Sequence, residues 1–221
     1  MPGVKVAFIH ASPAAVEPLM NYFAQAEPGW TVTNLLDDGI MRQFRLGDSE
    51  QVESGLISLI DRACSRYGAQ AALITCSAAS LTLINRLRKA SPVPLVKIDE
   101  PMARAAVTTG ARIGVVVTFP PTAGTATALL QELARSCGKD VTVLTELREA
   151  ALAALLHGDP ETHDRILREA ARSLIATGAE VIVLAQVSMA RLREPLEKEL
   201  GVPVFSSLET SHRALKEALD S

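Results

Sequence analysis

A chain of 221 residues suits one large domain or two small ones, and folding buries about 70% of the surface that an extended chain of this size exposes. A hydrophobic content of 48% with 21% charged residues is ordinary for a globular protein, while a net charge of −3 without a basic block and only 4% aromatics argue against nucleic-acid binding. No run approaches the roughly 18 apolar residues of a membrane-spanning helix, and a strand-like segment begins at once, so neither a transmembrane helix nor a signal peptide is expected.

In chain order, short β-branched runs alternate with longer amphipathic stretches. Strands are predicted at Val4–Ile9, Thr31–Leu35, Ala71–Thr75, Leu95–Ile98, Arg112–Val117, Val141–Thr145, Val181–Leu184 and Val202–Phe205. Most are continuous apolar runs, as in parallel sheets covered on both faces. Helices are predicted at Ala14–Ala26, Ser49–Tyr67, Ala78–Lys89, Glu100–Thr109, Ala123–Cys137, Pro160–Thr177, Met189–Leu200 and Leu208–Leu219. Asp48 is the expected N-cap of the second, with Gln51 three residues on, and Gly47-Asp48-Ser49 is read as a cap rather than a serine-nucleophile motif. Glycines such as Gly68, Gly110 and Gly201 fall where helices hand over to strands. The pattern is α/β.

The sequence also contains itself twice. AALITCSAA around Cys76 is echoed by VIVLAQVSMA around Gln186, SPVPLVKID by LGVPVFSSL, and VKVAFIHAS by RIGVVVTFP. All three echoes lie at an offset of about 110 residues, which implies two homologous halves. The expected architecture is a pair of pseudo-symmetric, flavodoxin-like or Rossmann-like halves with parallel sheets and an active-site cleft between them. The boundaries read as 1–110 with 206–221 packing back on the first half, and 111–205 for the second.

Ligands of open parallel sheets bind at the carboxyl ends of strands. The candidates there are His10, Ser12, Cys76, Ser77, Lys97, Asp99 and Glu100 in the first half. In the second they are Thr118, Phe119, Thr122, Gln186, Val187, Ser188, Ser206, Ser207 and Glu209. Cys76 separates an apolar strand from a helix opened by small residues, a position beside backbone N–H groups that lowers a thiol pKa and favours the nucleophilic thiolate. The alternative is a small buried hydrophobe, the reading given to Cys64 and Cys137. Thr118 reads as a carboxylate-binding hydroxyl, with a helix cap at Thr122 as its plain alternative. His10 reads as a second acid/base or as a hydrogen-bonded histidine at a strand end. Three widely spaced cysteines fit a reducing cytoplasm, and the four scattered histidines show no metal-ligand spacing, so no metal is expected.

Taken together, the repeat, the IHAS start, the ITCSA corner, the RIGVVVT restart and the VIVLAQVSM echo resemble the aspartate/glutamate racemase superfamily over essentially the whole chain. That resemblance implies relatives among amino-acid and hydantoin racemases, maleate isomerases and arylmalonate decarboxylases, all working without cofactor and commonly as dimers or larger assemblies. It implies a small carboxylate-bearing substrate and two facing cysteines acting as acid and base. Cys76 matches one of these; Ser77, Thr118 and the backbone near Ser188 match carboxylate-holding positions. Gln186 stands where the second cysteine usually lies, and a carboxamide is no proton carrier at neutral pH. Three readings stay open: racemisation with His10 or another group replacing the thiol; a one-sided reaction such as decarboxylation, elimination or thiolate addition that lets a double bond rotate; or a binding relative without turnover.

Overall fold

A computed structural model describes residues 3–220. The chain divides into two units. One runs to Ile98 and resumes at Leu208; the other is Asp99–Ser207.

In the first unit, β1 (Lys5–His10) is buried at every position after Lys5, because it lies inside a parallel sheet with helices on its faces. It pairs with β2 (Thr31–Leu36) and β3 (Ala71–Ile74), and β3 pairs with β4 (Leu95–Lys97), giving the order β2-β1-β3-β4. The helices are α1 (Val16–Ala26), α2 (Gly39–Leu46), α3 (Ser49–Tyr67), α4 (Leu81–Ala90) and, after the chain returns, α10 (Ser207–Leu219). Ile9, Ile74 and Leu95 of the sheet share a core with Leu56 and Ile60 of α3 and Ile84 of α4. At the start of α3 the Asp48 carboxylate accepts from the Gln51 N–H at 3.1 Å, the expected cap.

The second unit repeats this plan. β5 (Arg112–Val117), β6 (Thr142–Leu147), β7 (Val181–Leu184) and β8 (Val204–Phe205) form a parallel sheet in the order β6-β5-β7-β8. Its helices are α5 (Glu100–Thr109), α6 (Pro120–Ser136), α7 (Glu149–Leu156), α8 (Pro160–Ala176) and α9 (Arg193–Leu200). The repetition extends to single hydrogen bonds. Thr75 N–H donates to the Ile9 carbonyl at 3.0 Å, as Ala185 does to Val116 at 3.1 Å; Ala79 donates to Cys76 at 3.2 Å, as Met189 does to Gln186 at 3.0 Å.

Several expectations are adjusted. The division falls after Ile98 rather than at residue 110, because α5 buries Met102, Ala103, Ala106 and Val107 and packs on α6 and β7. The chain returns to the first unit at Leu208 instead of residue 206. Two helices went unpredicted, α2 and α7, each of eight residues and each following the second strand of its unit. Gly68 and Gly201 end their helices in the left-handed region, at φ 65 and 68, whereas Gly110 is extended at φ −143.

α10 is held to the first unit by a polar-aromatic clasp. His212 Nε2 lies 2.7 Å from a Glu27 carboxylate oxygen and its Nδ1 3.2 Å from the Tyr22 hydroxyl. Lys216 reaches the same Glu27 oxygen at 3.0 Å, and Phe23 stacks on Trp30 and meets the His212 ring edge-on. Among the described residues no helix is long and apolar enough to cross a membrane.

Candidate active site

Each unit presents a cluster at the carboxyl ends of its two central strands, and the two clusters are wired differently. In the first unit Cys76 follows β3 by two residues and is half-buried, its side chain packed on the core shared by α2 and α3. The predicted helix start at Ala78 is displaced to Leu81. Residues 76–79 instead form a turn, and the Ser80 hydroxyl caps α4 by accepting from Leu83 N–H at 3.2 Å. The first turn of α4 therefore serves Ser80 rather than the thiol, and the dipole argument for Cys76 loses its basis because the effect fades beyond the first turn. Ser77 is buried.

His10 ends β1 with no exposed surface. Its Nδ1 lies 2.9 Å from the Thr75 hydroxyl and its Nε2 2.9 Å from the Asn34 side-chain carbonyl. The Thr75 hydroxyl also lies 3.0 Å from the Ile9 carbonyl, so its single proton serves either that carbonyl or Nδ1; with Nε2–H donating to the Asn34 carbonyl, Nδ1 is the acceptor and takes it. The Asn34 amide in turn donates to the Met20 sulfur at 3.0 Å. Burial pushes the His10 pKa below the usual imidazole value, with the Asn34 hydrogen bond opposing it. Both nitrogens are occupied in this conformation, the arrangement of the alternative reading, a hydrogen-bonded histidine at a strand end. Ser12 likewise caps the short turn Pro13–Ala15, accepting from Ala14 N–H at 3.3 Å.

In the second unit Gln186 follows β7 by two residues, the place Cys76 has after β3, and is also half-buried. One side-chain atom of Gln186 receives both donors of Thr118: the backbone N–H at 2.7 Å and the hydroxyl at 2.9 Å. A backbone N–H can only donate, so that atom is the amide oxygen. Thr118 is almost fully buried, and the hydroxyl expected to hold a carboxylate donates, with the backbone N–H, to the protein's own glutamine. Phe119 is buried ahead of α6, which begins at Pro120 with proline in the first turn, so Thr122 is not its cap. Val187 and Ser188 are buried in a 3-10 turn, Val187–Leu192. The Ser188 carbonyl accepts from the Arg191 guanidinium at 3.0 Å, and Arg191 is itself held by Asp164 at 2.6 Å.

Lys97 and Asp99 are buried at the β4 end, and Ser206 and Ser207 are buried after β8. A recess of about 320 Å3 opens in the first unit between α2, α3 and α4, lined by Phe44, Asp48, Val52, Ser80, Leu83 and Arg86; none of the predicted site residues lines it. Among the described residues no cluster of three or more His, Cys, Asp or Glu side chains is arranged to hold a metal ion. Asn34, Thr75 and Arg191 were not predicted. The one sequence signal for Asn34 is a carboxamide interrupting the apolar end of TVTNLL.

With this geometry in hand, the sequence profile of the Asp/Glu/Hydantoin racemase family matches residues 25–215. The chain belongs to this racemase family. A hydantoin racemase from Pseudomonas sp. (strain NS671) is 32% identical over 127 residues, covering 57% of this chain and 49% of that protein, so the match spans about half of the relative's length. Among solved structures, glutamate racemase from Bacillus anthracis superposes with a TM-score of 0.74 at 18% identity, covering 100% of this chain and 83% of that one. Allantoin racemase from Klebsiella pneumoniae gives 0.67 at 22% identity, covering 98% and 88%. At such identities the likeness speaks for the racemase fold: two parallel four-stranded sheets with flanking helices, built twice. Within the racemase family profile fall Cys76, Thr118 and Gln186; His10 and Ser12 precede it.

Proposed function

We propose that the protein is a cofactor-independent racemase or isomerase of a small carboxylic or amino acid, with Cys76 as the base or nucleophile at the reacting carbon. The observation that carries this reading is the half-buried thiol at the strand end of a chain belonging to the racemase family. A thiolate at such a corner removes a proton next to a carbonyl, and nearby donors stabilise the enolate that forms. Ser77, the Gln186 amide and the backbone of Val187 and Ser188 orient the substrate, with Ser12 and Phe119 shaping the strand ends. Thr118 acts through Gln186, and His10 acts through Thr75.

The second reading is a lyase or other one-sided reaction. Gln186 favours it, because an amide in the place of a second thiol leaves one proton carrier. Incubating candidate acids in D2O and following the α-carbon by NMR tests both. Deuterium entry with inversion of configuration supports the racemase, and loss of CO2 or of a leaving group supports the lyase. Deuterium entry with neither outcome counts against both. A binding relative without turnover would keep ligand affinity in Cys76→Ala and have no activity to lose.

Assembly as a homo-oligomer belongs to the same proposal. Leu46 is 71% exposed on α2, and Leu36 and Ile57 are exposed in the same unit; light scattering on the purified chain would measure the assembly state. Residence in a reducing cytoplasm is supported by three cysteines that form no disulfide.

A further inference from the structure

The geometry points to Gln186 as a specificity-determining residue that closes the second unit's anion position and substitutes a site for a neutral carbonyl group. The inference rests on the reading above in one respect, that the strand ends of β5 and β7 meet the substrate.

Thr118 brings together a backbone N–H and a hydroxyl that converge on a single oxygen at 2.7 and 2.9 Å. Two convergent donors, buried and spent on one acceptor, suit a carboxylate oxygen well, because hydrogen bonds to an ionised acceptor are roughly twice as strong as neutral ones. That oxygen belongs to Gln186. With its carbonyl committed to Thr118, the only polar capacity left on this half-buried side chain is its NH2 group, a pair of neutral donors. The cations near this strand end are engaged as well: Arg148 pairs with Glu146 and Arg191 with Asp164. A second carboxylate placed here would be desolvated against neutral donors alone, whereas an amide, ureide or ester carbonyl finds matched partners. Ala11 occupies the position matching Thr118 and has no side-chain donor.

The substrate class that follows is a small carbon acid carrying a neutral carbonyl, rather than a second carboxylate, toward Gln186. Malonate and its monoamide, malonamate, differ in that one feature. Calorimetric titration of the full-length Cys76→Ala chain, which cannot turn over, is expected to show malonamate binding at least tenfold tighter than malonate. Adding Gln186→Ala frees both Thr118 donors and is expected to raise malonate affinity at least tenfold; adding Thr118→Val then removes that gain. Gln186→Glu keeps an acceptor on Thr118 but loses the NH2 donors, and is expected to weaken malonamate at least tenfold without improving malonate. It serves as the independent check should the alanine variant fail to fold. Malonate affinity unchanged by Gln186→Ala, or a parent chain that prefers malonate, overturns the inference, whether or not malonamate binds. These are equilibrium affinities in a chain without the thiol. A negative deuterium-exchange result would sink the isomerase reading and leave them standing.

Discussion

The strand ends of β1 and β3 and those of β5 and β7 share one backbone and carry opposite chemistry. Where the first unit has His10 and Thr75, the second has Val117 and Ala185; where the first has Ala11 and Cys76, the second has Thr118 and Gln186. The first unit therefore places its polar pair behind the strand ends and has a thiol in front, beside an alanine in place of the threonine. The second fills the rear with apolar groups and ties its front residue down. A duplicated scaffold fixes where side chains stand, and single substitutions decide which of the two copies carries the thiol and which the amide.

The largest expected effect separates the two front residues. Cys76→Ser should lower the rate of substrate deuteration by a hundredfold or more, while Gln186→Ala, read in the same NMR assay, should change it by far less. Equal losses would mean the two strand ends share the chemistry evenly.

The next tests the two central strands. A methyl group on Gly114 would stand 2.9 Å from Ile182 Cδ1, 3.0 Å from Ala179 Cβ and 3.1 Å from Leu174 Cβ, whereas the first unit carries Ala7 at the matching position. Gly114→Ala is expected to cost about 1–3 kcal/mol by overpacking, measured by urea denaturation. A neutral result would mean that α8 yields where the close approach suggests it cannot.

Of similar size is the effect at the rear pair. His10→Val copies the second unit and strips Thr75 and Asn34 of a partner, at a cost of about 1–3 kcal/mol. Adding Thr75→Ala should recover part of that loss. The same histidine sets a pH dependence. Burial holds both His10 and His163 neutral in the folded chain, so the unfolded chain takes up protons first as the solution is acidified. The stability these groups contribute is complete above about pH 6.5 and is lost as the pH falls toward their lowered folded values. Melting temperatures at pH 8, 6 and 5 should decline, and His10→Val should flatten the decline while His163 keeps part of it. The smallest effect is expected at the surface. Arg86 and Glu53 form a solvent-exposed bidentate pair, and Arg86→Ala should leave the denaturation midpoint within error.

The strands were legible because runs such as VIVL and RIGVVV admit few other readings, and the repeat was legible because both units reuse the same corners. α2 escaped because its eight residues begin with glycine and bury only Ile40. α7 escaped because EAALAALL shows no polar face to set a period. At the site, the sequence located Cys76 and Gln186 as equivalent residues. It could not show their wiring: the partners of His10 and Gln186 are set by sheet register, across 65 and 68 residues of chain. The displaced start of α4 has a plain cause as well, since Ser80 is the better cap among the small residues after Cys76.

The clasp between α10 and α1 gives the chain an order of assembly. Glu27, Tyr22 and Phe23 wait for His212 and Lys216, which the ribosome delivers only after every residue of Asp99–Ser207. The inserted unit can complete its own sheet during synthesis, whereas the unit that carries the thiol stays open along one side until the returning helix is made. Nascent chains stalled before Leu208 should accordingly expose the Phe23 and Trp30 rings to chaperones and proteases while the inserted unit is already folded.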